Sequence, residues 1–391
     1  MQRKIKVAHI IARMISGGAD ENTLLTIEGL DKDKYEIDLI TGEESSENIL
    51  KSIESLPFNT IKINGLKWKL NFLRDPVVLL KLVSLIKKKH YDIVHTHTTK
   101  AGILGRIAAY ISGVPIIVHG LHGSTFQAFN SGLLNRLLFL SERFCSRFTD
   151  AYISVSKILS QTYINRGIGK KDNHFTVYSG MELSKFFSAR ECIDKKEKYT
   201  ELKINEGEFV IGNVARLETR KGHRFLIDAF QNIVRKYKYD NAKLLIVGEG
   251  NKRNDLEKYV KELNLEDKII FTGYRKNVEE LMVLMDVFVL TSLREGLPRV
   301  LVQAAAVGIP SIAFDVDGVS EIIKNNYNGF LVEVKNLEQL EKGILKYIEN
   351  KKLTNLHGRN GRELVGNKWS IDGMVERIDK IYQKLISEKL K

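Results

Sequence analysis

Arg216 and Lys221 stand at the two ends of the stretch Arg216-Leu-Glu-Thr-Arg-Lys221-Gly222. Two fixed cations beside the start of a helix are suited to holding a diphosphate. The alternative is a basic surface loop, and the strand–loop–helix context favours binding. Further along runs Glu295-Gly-Leu-Pro298-Arg-Val-Leu-Val-Gln303. Glu295 ends a loop, and the spacing predicts a helix from Pro298 to Ala306 with proline in its first turn. Backbone amides at that start would face an anion, and the Glu295 carboxylate would accept hydrogen bonds from hydroxyls. Gln303 lies further along the same helix. A carboxylate beside a bare phosphate is unfavourable, so the pattern fits a ligand that carries both phosphates and sugar hydroxyls.

Two earlier loops carry comparable residues. Ser16-Gly17-Gly18-Ala19 follows the first apolar run and precedes a helical pattern. Paired glycines let a backbone approach a ligand, and a helix start favours phosphate. It is not G-x-G-x-x-G, so the dinucleotide fingerprint is absent, and a tight turn explains it nearly as well. Gly120-Leu121-His122-Gly123 places His122 at a strand exit between glycines, where a ring nitrogen can reach a ligand or be satisfied by packing. His95 and His97 sit at the preceding strand exit. A third metal ligand is not evident nearby in sequence, so substrate contact or packing is the expectation, with no metal site.

These loops need a scaffold. Ile5–Ile11, Ile37–Ile40, Thr60–Ile63, Ile93–His95 and Ile116–His119 read as buried strands. Between them Asn22–Leu30, Val77–Lys89, Gly102–Ile111 and Leu133–Phe148 read as helices. Apolar runs alternating with helical patterns predict βαβ units and parallel sheets, whose ligands bind outside the carboxyl ends of the strands. The pattern weakens over the polar stretch Ser184–Lys203, read as the region between domains. It restarts with strand Phe209–Val214 and helix His223–Tyr237. Strands Leu244–Val247, Ile269–Phe271, Val287–Leu290 and Ser311–Phe314 follow. Ile371, Val375, Ile378, Tyr382 and Leu385 recur at helical spacing, so the end of the chain is an amphipathic helix in need of a surface to cover.

At 391 residues the chain is long enough for two cores. Its hydrophobic fraction of 43% and charged fraction of 28% exclude a disordered chain. Cys145 and Cys192 are too few for a disulfide framework or a structural zinc site. A net charge of +13 is concentrated between Lys51 and Arg106, with eleven basic and three acidic residues. Such a patch suits nucleic acid, an anionic membrane or an anionic substrate, or is a solvated lysine-rich surface. The apolar run after Met1 is too short for a signal peptide, and no stretch reaches membrane-spanning length. A cytoplasmic protein is the expectation.

At these residues the sequence resembles the family 4 retaining glycosyltransferases of GT-B fold. The likeness runs through Gly17-Gly18-Ala19, His122-Gly123, Val177-Tyr-Ser-Gly-Met-Glu-Leu-Ser-Lys-Phe186 and Ala215-Arg-Leu-Glu-Thr-Arg-Lys-Gly222. It continues through Val247-Gly-Glu-Gly250, Phe271-Thr-Gly-Tyr-Arg275, Thr291-Ser-Leu-Arg-Glu-Gly-Leu-Pro298 and Gly318-Val-Ser-Glu321. The resemblance implies two Rossmann-like doubly wound domains facing a cleft: residues 1–187 for the acceptor, 188–368 for the nucleotide sugar, and 369–391 as a helix returning to the first domain. It implies that Arg216 and Lys221 hold the donor diphosphate. Gly248, Gly250, Tyr274 and Arg275 would border base and ribose, and Glu295 would contact the sugar hydroxyls. Backbone around Gly296, Leu297, Pro298, Val300 and Leu301 would meet sugar and phosphates. Gly17 and Gly18 would approach the donor from the other domain, and His122 would lie near the transferred sugar. The family pattern has a second glutamate where this chain has Gln303, which keeps one carbonyl acceptor for the ribose and adds a donor.

The reaction so implied is transfer of a sugar, with a UDP-sugar as the expected donor, to a hydroxyl of a glycan or lipid-linked acceptor. Retention of configuration, no required metal and peripheral contact with an anionic membrane go with it. Alternatives are a sugar-nucleotide epimerase of the same fold and a basic nucleic-acid-binding protein; the ordered set of ligand loops argues against the latter. The helix Leu133–Phe148, with Arg136, Arg143 and Arg147 among apolar residues, reads as a core helix in preference to a membrane-contacting one.

Overall fold

The computed structural model describes residues 3–15, 18–69, 71, 73–124 and 132–390. The chain forms two compact units, Met1–Gly180 with Trp369–Lys391, and Met181–Lys368.

The first unit is built on seven parallel strands: β1 (Ile5–Ile10), β2 (Tyr35–Gly42), β3 (Asn59–Ile63), β4 (Ile93–His97), β5 (Ile116–Leu121), β6 (Ala151–Ser154) and β7 (His174–Thr176). Their order is β3-β2-β1-β4-β5-β6-β7. The sheet is doubly wound, and the order reverses between β1 and β4, which pair from Val7↔Ile93 to Ile10↔Thr96. That reversal opens a crevice at the carboxyl ends of the two strands, where ligands bind in such sheets.

Both faces are covered. On one, Val78, Leu82 and Ile86 of the helix Asp75–Lys89 and Ala108 and Ala109 of Thr99–Ile111 pack on Ile10, Ile40 and Val94. On the other, Met374, Val375, Ile378, Tyr382 and Leu385 of the terminal helix Ile371–Lys389 join Val7, Ile27, Leu39 and Ile93. The terminal helix therefore completes the first unit. Ser370 caps it by accepting from the Gly373 N–H at 3.1 Å. Gly29 lets it come close, since a Cβ there would stand 2.5 Å from Val375 Cγ2.

The helix Gly132–Cys145 departs from the sequence expectation of a core helix. Leu138, Glu142 and Cys145 are buried on its inner face, and Glu142 pairs with the fully buried Arg106 at 2.7 Å. Its other apolar face is open: Leu133, Leu137, Leu140 and Phe144 are exposed, Leu133 to 72%. The reason is that its apolar residues occupy two faces, and the helix Thr99–Ile111 covers one.

The second unit carries six parallel strands: β8 (Phe209–Val214), β9 (Ala242–Val247), β10 (Ile269–Gly273), β11 (Val287–Leu290), β12 (Ser311–Phe314) and β13 (Gly329–Val332). Their order, β10-β9-β8-β11-β12-β13, reverses between β8 and β11. One core joins Ile211, Ile246 and Val289 to Leu226, Phe230 and Ile233 of the helix His223–Arg235 and to Leu340, Ile344 and Tyr347 of Leu337–Glu349. The polar stretch Ser184–Lys203 is helical over Ser184–Cys192 and Lys195–Leu202 and belongs to this unit. It buries Phe186, Ala189 and Leu202, and Arg190 donates to the Val307 carbonyl at 2.7 Å.

Candidate active site

At the reversal point of the second sheet, the loops leaving β8 and β11 meet. Thr291, just past β11, donates through Oγ1 to the carbonyls of Gly222 at 3.0 Å and Lys221 at 3.3 Å. The Leu293 N–H donates to the Arg220 carbonyl at 2.8 Å. Gly222 is required here: its φ is +66°, and a Cβ would stand 2.1 Å from the Thr291 carbonyl oxygen. The tie brings Lys221 Nζ to 2.5 Å from Glu295 Oε1, with both side chains largely buried.

Asp317 holds Glu295 from behind, accepting the Glu295 N–H at 2.7 Å. It does so at φ +43°, a conformation that costs a non-glycine residue of order 1–3 kcal/mol and gathers at functional sites. Burial raises the Asp317 carboxyl above its usual range. Arg216 is exposed and lies 3.4 Å from Glu218, which Arg220 also engages at 2.9 Å. Burial penalises the Glu218 charge, yet Arg220, Arg216 and Lys221 outweigh it and its carboxyl sits below the usual range.

The Gly248–Gly250 loop runs against the β8 exit. Leu217 N–H donates to the Glu249 carbonyl at 3.0 Å, and Lys252 N–H to the Leu217 carbonyl at 2.9 Å. Cβ atoms at Gly248 and Gly250 would fall 2.0 Å from the Ala215 and 2.4 Å from the Leu217 carbonyl oxygens. Tyr274 is exposed past β10, and Arg275 pairs with Glu201 at 3.1 Å. Gly296, Leu297 and Pro298 turn the chain into the helix Arg299–Val307, which carries Val300, Leu301 and Gln303. Leu301 is buried and its N–H donates to the Pro298 carbonyl at 3.0 Å, so the anion-facing amides lie ahead of it.

In the first unit Gly18 opens the helix Gly18–Gly29; Gly17 lies outside the described residues. His122 follows directly on β5, its Nε2 3.0 Å from His97 Nδ1, and burial pushes it down to about 4. His95 lies within β4 and His97 ends it, and both are buried. Sequence reasoning missed Asp317, Glu218 and Thr291 as site residues. The role of Asp317 depends on a loop conformation that residue type and spacing do not show.

A family model described as Glycosyltransferase Family 4 matches residues 16–185, and one described as Glycosyl transferases group 1 matches residues 194–364. A UDP-Gal:alpha-D-GlcNAc-diphosphoundecaprenol alpha-1,3-galactosyltransferase of Escherichia coli is 30% identical over 389 residues, covering 99% of this chain and 98% of that one. The chain belongs to the family 4 glycosyltransferases. A Staphylococcus aureus capsular polysaccharide biosynthesis glycosyltransferase, CapM, is 30% identical over 79% of this glycosyltransferase and 81% of its own length. Among solved structures, Anabaena HepE in complex with UDP and glucose superposes with a TM-score of 0.79 at 22% identity, covering 97% and 100% of the two chains. Sucrose-phosphate synthase of Thermosynechococcus elongatus gives 0.80 at 20% identity, covering 99% and 100%. The glycosyltransferase thus has the GT-B fold, as its two doubly wound sheets predict.

Proposed function

We propose that this enzyme transfers a sugar from a UDP-sugar to a hydroxyl of a glycan or lipid-linked acceptor, retaining the anomeric configuration, in the assembly of a cell-surface polysaccharide or glycoconjugate. The observation that carries the reading is the Lys221–Glu295 pair. It fixes a cation for a diphosphate and a carboxylate for sugar hydroxyls 2.5 Å apart at one sheet-reversal point. The choice of UDP is supported by the name of the Escherichia coli relative and by the UDP bound to Anabaena HepE.

In this reading Arg216 and Lys221 grip the diphosphate, and the amides between Gly296 and Val300 face the sugar and phosphates. Gly248, Gly250, Tyr274 and Arg275 border the base and ribose, and Gln303 accepts a ribose hydroxyl through its carbonyl. The bond between the anomeric carbon and the diphosphate oxygen breaks, and its electron pair leaves with UDP. The acceptor oxygen bonds to the anomeric carbon on the same face, and its proton passes to the departing phosphate. Negative charge grows on that phosphate, so fixed cations and amides lower the barrier without a required metal. Glu295 orients the sugar.

A lipid-linked acceptor suits the open apolar face of Gly132–Cys145, flanked by exposed Arg136, Arg143 and Arg147. Among the described residues no helix is long and apolar enough to cross a membrane. The reading is therefore peripheral contact with the inner, anionic face of the cytoplasmic membrane.

A thermal-shift screen of nucleotide sugars tests the donor, because a ligand that binds the folded state raises its stability. UDP-sugars are expected to stabilise the wild type and to fail with Arg216→Ala and Lys221→Ala. Normal turnover in both variants would refute the diphosphate assignment. The anomeric configuration of the product, read by NMR, tests retention.

A further inference from the structure

Five histidines crowd the carboxyl half of the first sheet: His9 on β1, His95 and His97 on β4, His119 on β5 and His122 just beyond it. His9, His95 and His97 are each at most 2% exposed, and each offers a ring nitrogen within 4.8 Å of the others'. His9 lies far from the other two in sequence and is the third ligand that spacing alone does not supply.

The outward nitrogen of each ring is held. His95 Nδ1 lies 2.6 Å from Tyr382 Oη, on the terminal helix. His97 Nδ1 lies 3.0 Å from His122 Nε2. His9 Nε2 lies 3.4 Å from the same Tyr382 oxygen. This leaves His9 Nδ1 and His97 Nε2 facing each other at 3.0 Å, and His95 Nε2, buried without a hydrogen-bond partner. An unpaired buried polar atom costs about 1–3 kcal/mol. A partner on the far nitrogen is how proteins orient metal-binding imidazoles, and here all three have one.

A cavity adjoins the group, lined by His95, His97, Gly120 and His122 among others. Gly120 keeps it open: a Cβ would stand 2.8 Å from His97 Nδ1 and 3.3 Å from His95 Nε2.

We propose that His9, His95 and His97 bind one transition-metal ion of the zinc class, with a water or hydroxide from the cavity in the fourth position. Three imidazoles without thiolate or carboxylate select zinc, cobalt or nickel over magnesium and calcium, which require oxygen ligands. The ion would join β1 to β4 and, through Tyr382, to the terminal helix. The proposal does not depend on the donor reading; the ion would meet the residues of that reading only through His122, whose Nε2 lies 3.0 Å from His97 Nδ1.

The test uses the full chain, stripped with a chelator and titrated with Co2+ as an optical probe. One equivalent is expected to give the intense visible absorption of a tetrahedral site. Zn2+ should displace it and Mg2+ should not. Tyr382→Phe, which keeps the ring packing, is expected to weaken binding by about ten- to a hundred-fold. His95→Gln should abolish it. Absence of saturable Co2+ and Zn2+ binding by the wild type would overturn the proposal. So would undiminished affinity in a folded His95→Gln protein, which would put the metal elsewhere.

Discussion

Lys221 and Glu295, 74 residues apart in the chain, close a 2.5 Å ion pair over the point where the second sheet reverses its strand order. Their loops reach each other because Thr291 hydrogen-bonds the Lys221–Gly222 backbone and Asp317 fixes the Glu295 amide. Before a ligand arrives, each charge is the other's partner.

That pairing predicts opposite effects on a nucleotide alone. Glu295→Gln removes the carboxylate that competes with phosphate for Lys221. UDP affinity is expected to hold or rise several-fold, while sugar transfer falls. Lys221→Ala should weaken UDP binding and lower kcat/KM by about a hundred- to a thousand-fold, the scale for loss of one charge-stabilising donor. Calorimetry with UDP and initial rates with the sugar nucleotide separate the two. Weaker UDP binding in Glu295→Gln would show that the carboxylate does not compete with phosphate for Lys221.

Gly222 is expected to be intolerant for a reason independent of ligand. Gly222→Ala adds a methyl 2.1 Å from the Thr291 carbonyl at φ +66°. Gly207→Ala meets the left-handed penalty at φ +92° with nothing within 4 Å. The control should cost about 1–2 kcal/mol, and Gly222→Ala clearly more. Urea unfolding of both variants measures the difference; equal midpoints would contradict the close approach.

His223 makes the second unit sensitive to acid. Burial, with Lys221 adding repulsion, lowers it to about 4, and neither ring nitrogen has a hydrogen-bond partner. The unfolded chain takes up this proton near pH 6.5 and the folded one only near 4. The stability is therefore complete above pH 6.5 and is lost as pH falls toward 4, by a few kcal/mol in all. Between pH 7 and 5, His223→Phe should flatten the decline in the urea midpoint. An unchanged slope would mean that other groups carry it.

The architecture was legible because its strands are apolar and its helices periodic. Phe209–Val214, Val287–Leu290 and Ser311–Phe314 coincide with β8, β11 and β12. Short β7 and the lysine-rich helix Lys195–Leu202 lack a hydrophobic signature and passed unread. Arg216, Lys221 and Glu295 could be picked out by residue type beside a helix start, but the 2.5 Å contact depends on which strands are neighbours. His9 shows the same limit more sharply: nothing in its local sequence separates it from a core residue, and only the β1–β4 pairing, which places His9 opposite His95, brings the rings together.

The outer face of Gly132–Cys145 yields the last prediction. Leu133, Leu137, Leu140 and Phe144 recur at helical spacing on the exposed side, with Arg136, Arg143 and Arg147 exposed beside them. The inner side is anchored by the buried Arg106–Glu142 pair, so outward substitutions leave the fold intact. An apolar stripe flanked by arginines binds an anionic bilayer by burying its leucines among the acyl chains and neutralising headgroups. Sedimentation with vesicles containing phosphatidylglycerol should capture the wild type at low salt and release most of it at high salt. Each arginine near the surface contributes about 1 kcal/mol, so Arg143→Glu with Arg147→Glu should reduce partitioning by at least ten-fold. Leu137→Ser with Leu140→Ser should weaken binding at every salt concentration, because the apolar contribution is not screened. Wild-type protein that stays in the supernatant at low salt, or variants that sediment equally, would remove the membrane from the reading and leave the transfer chemistry untouched.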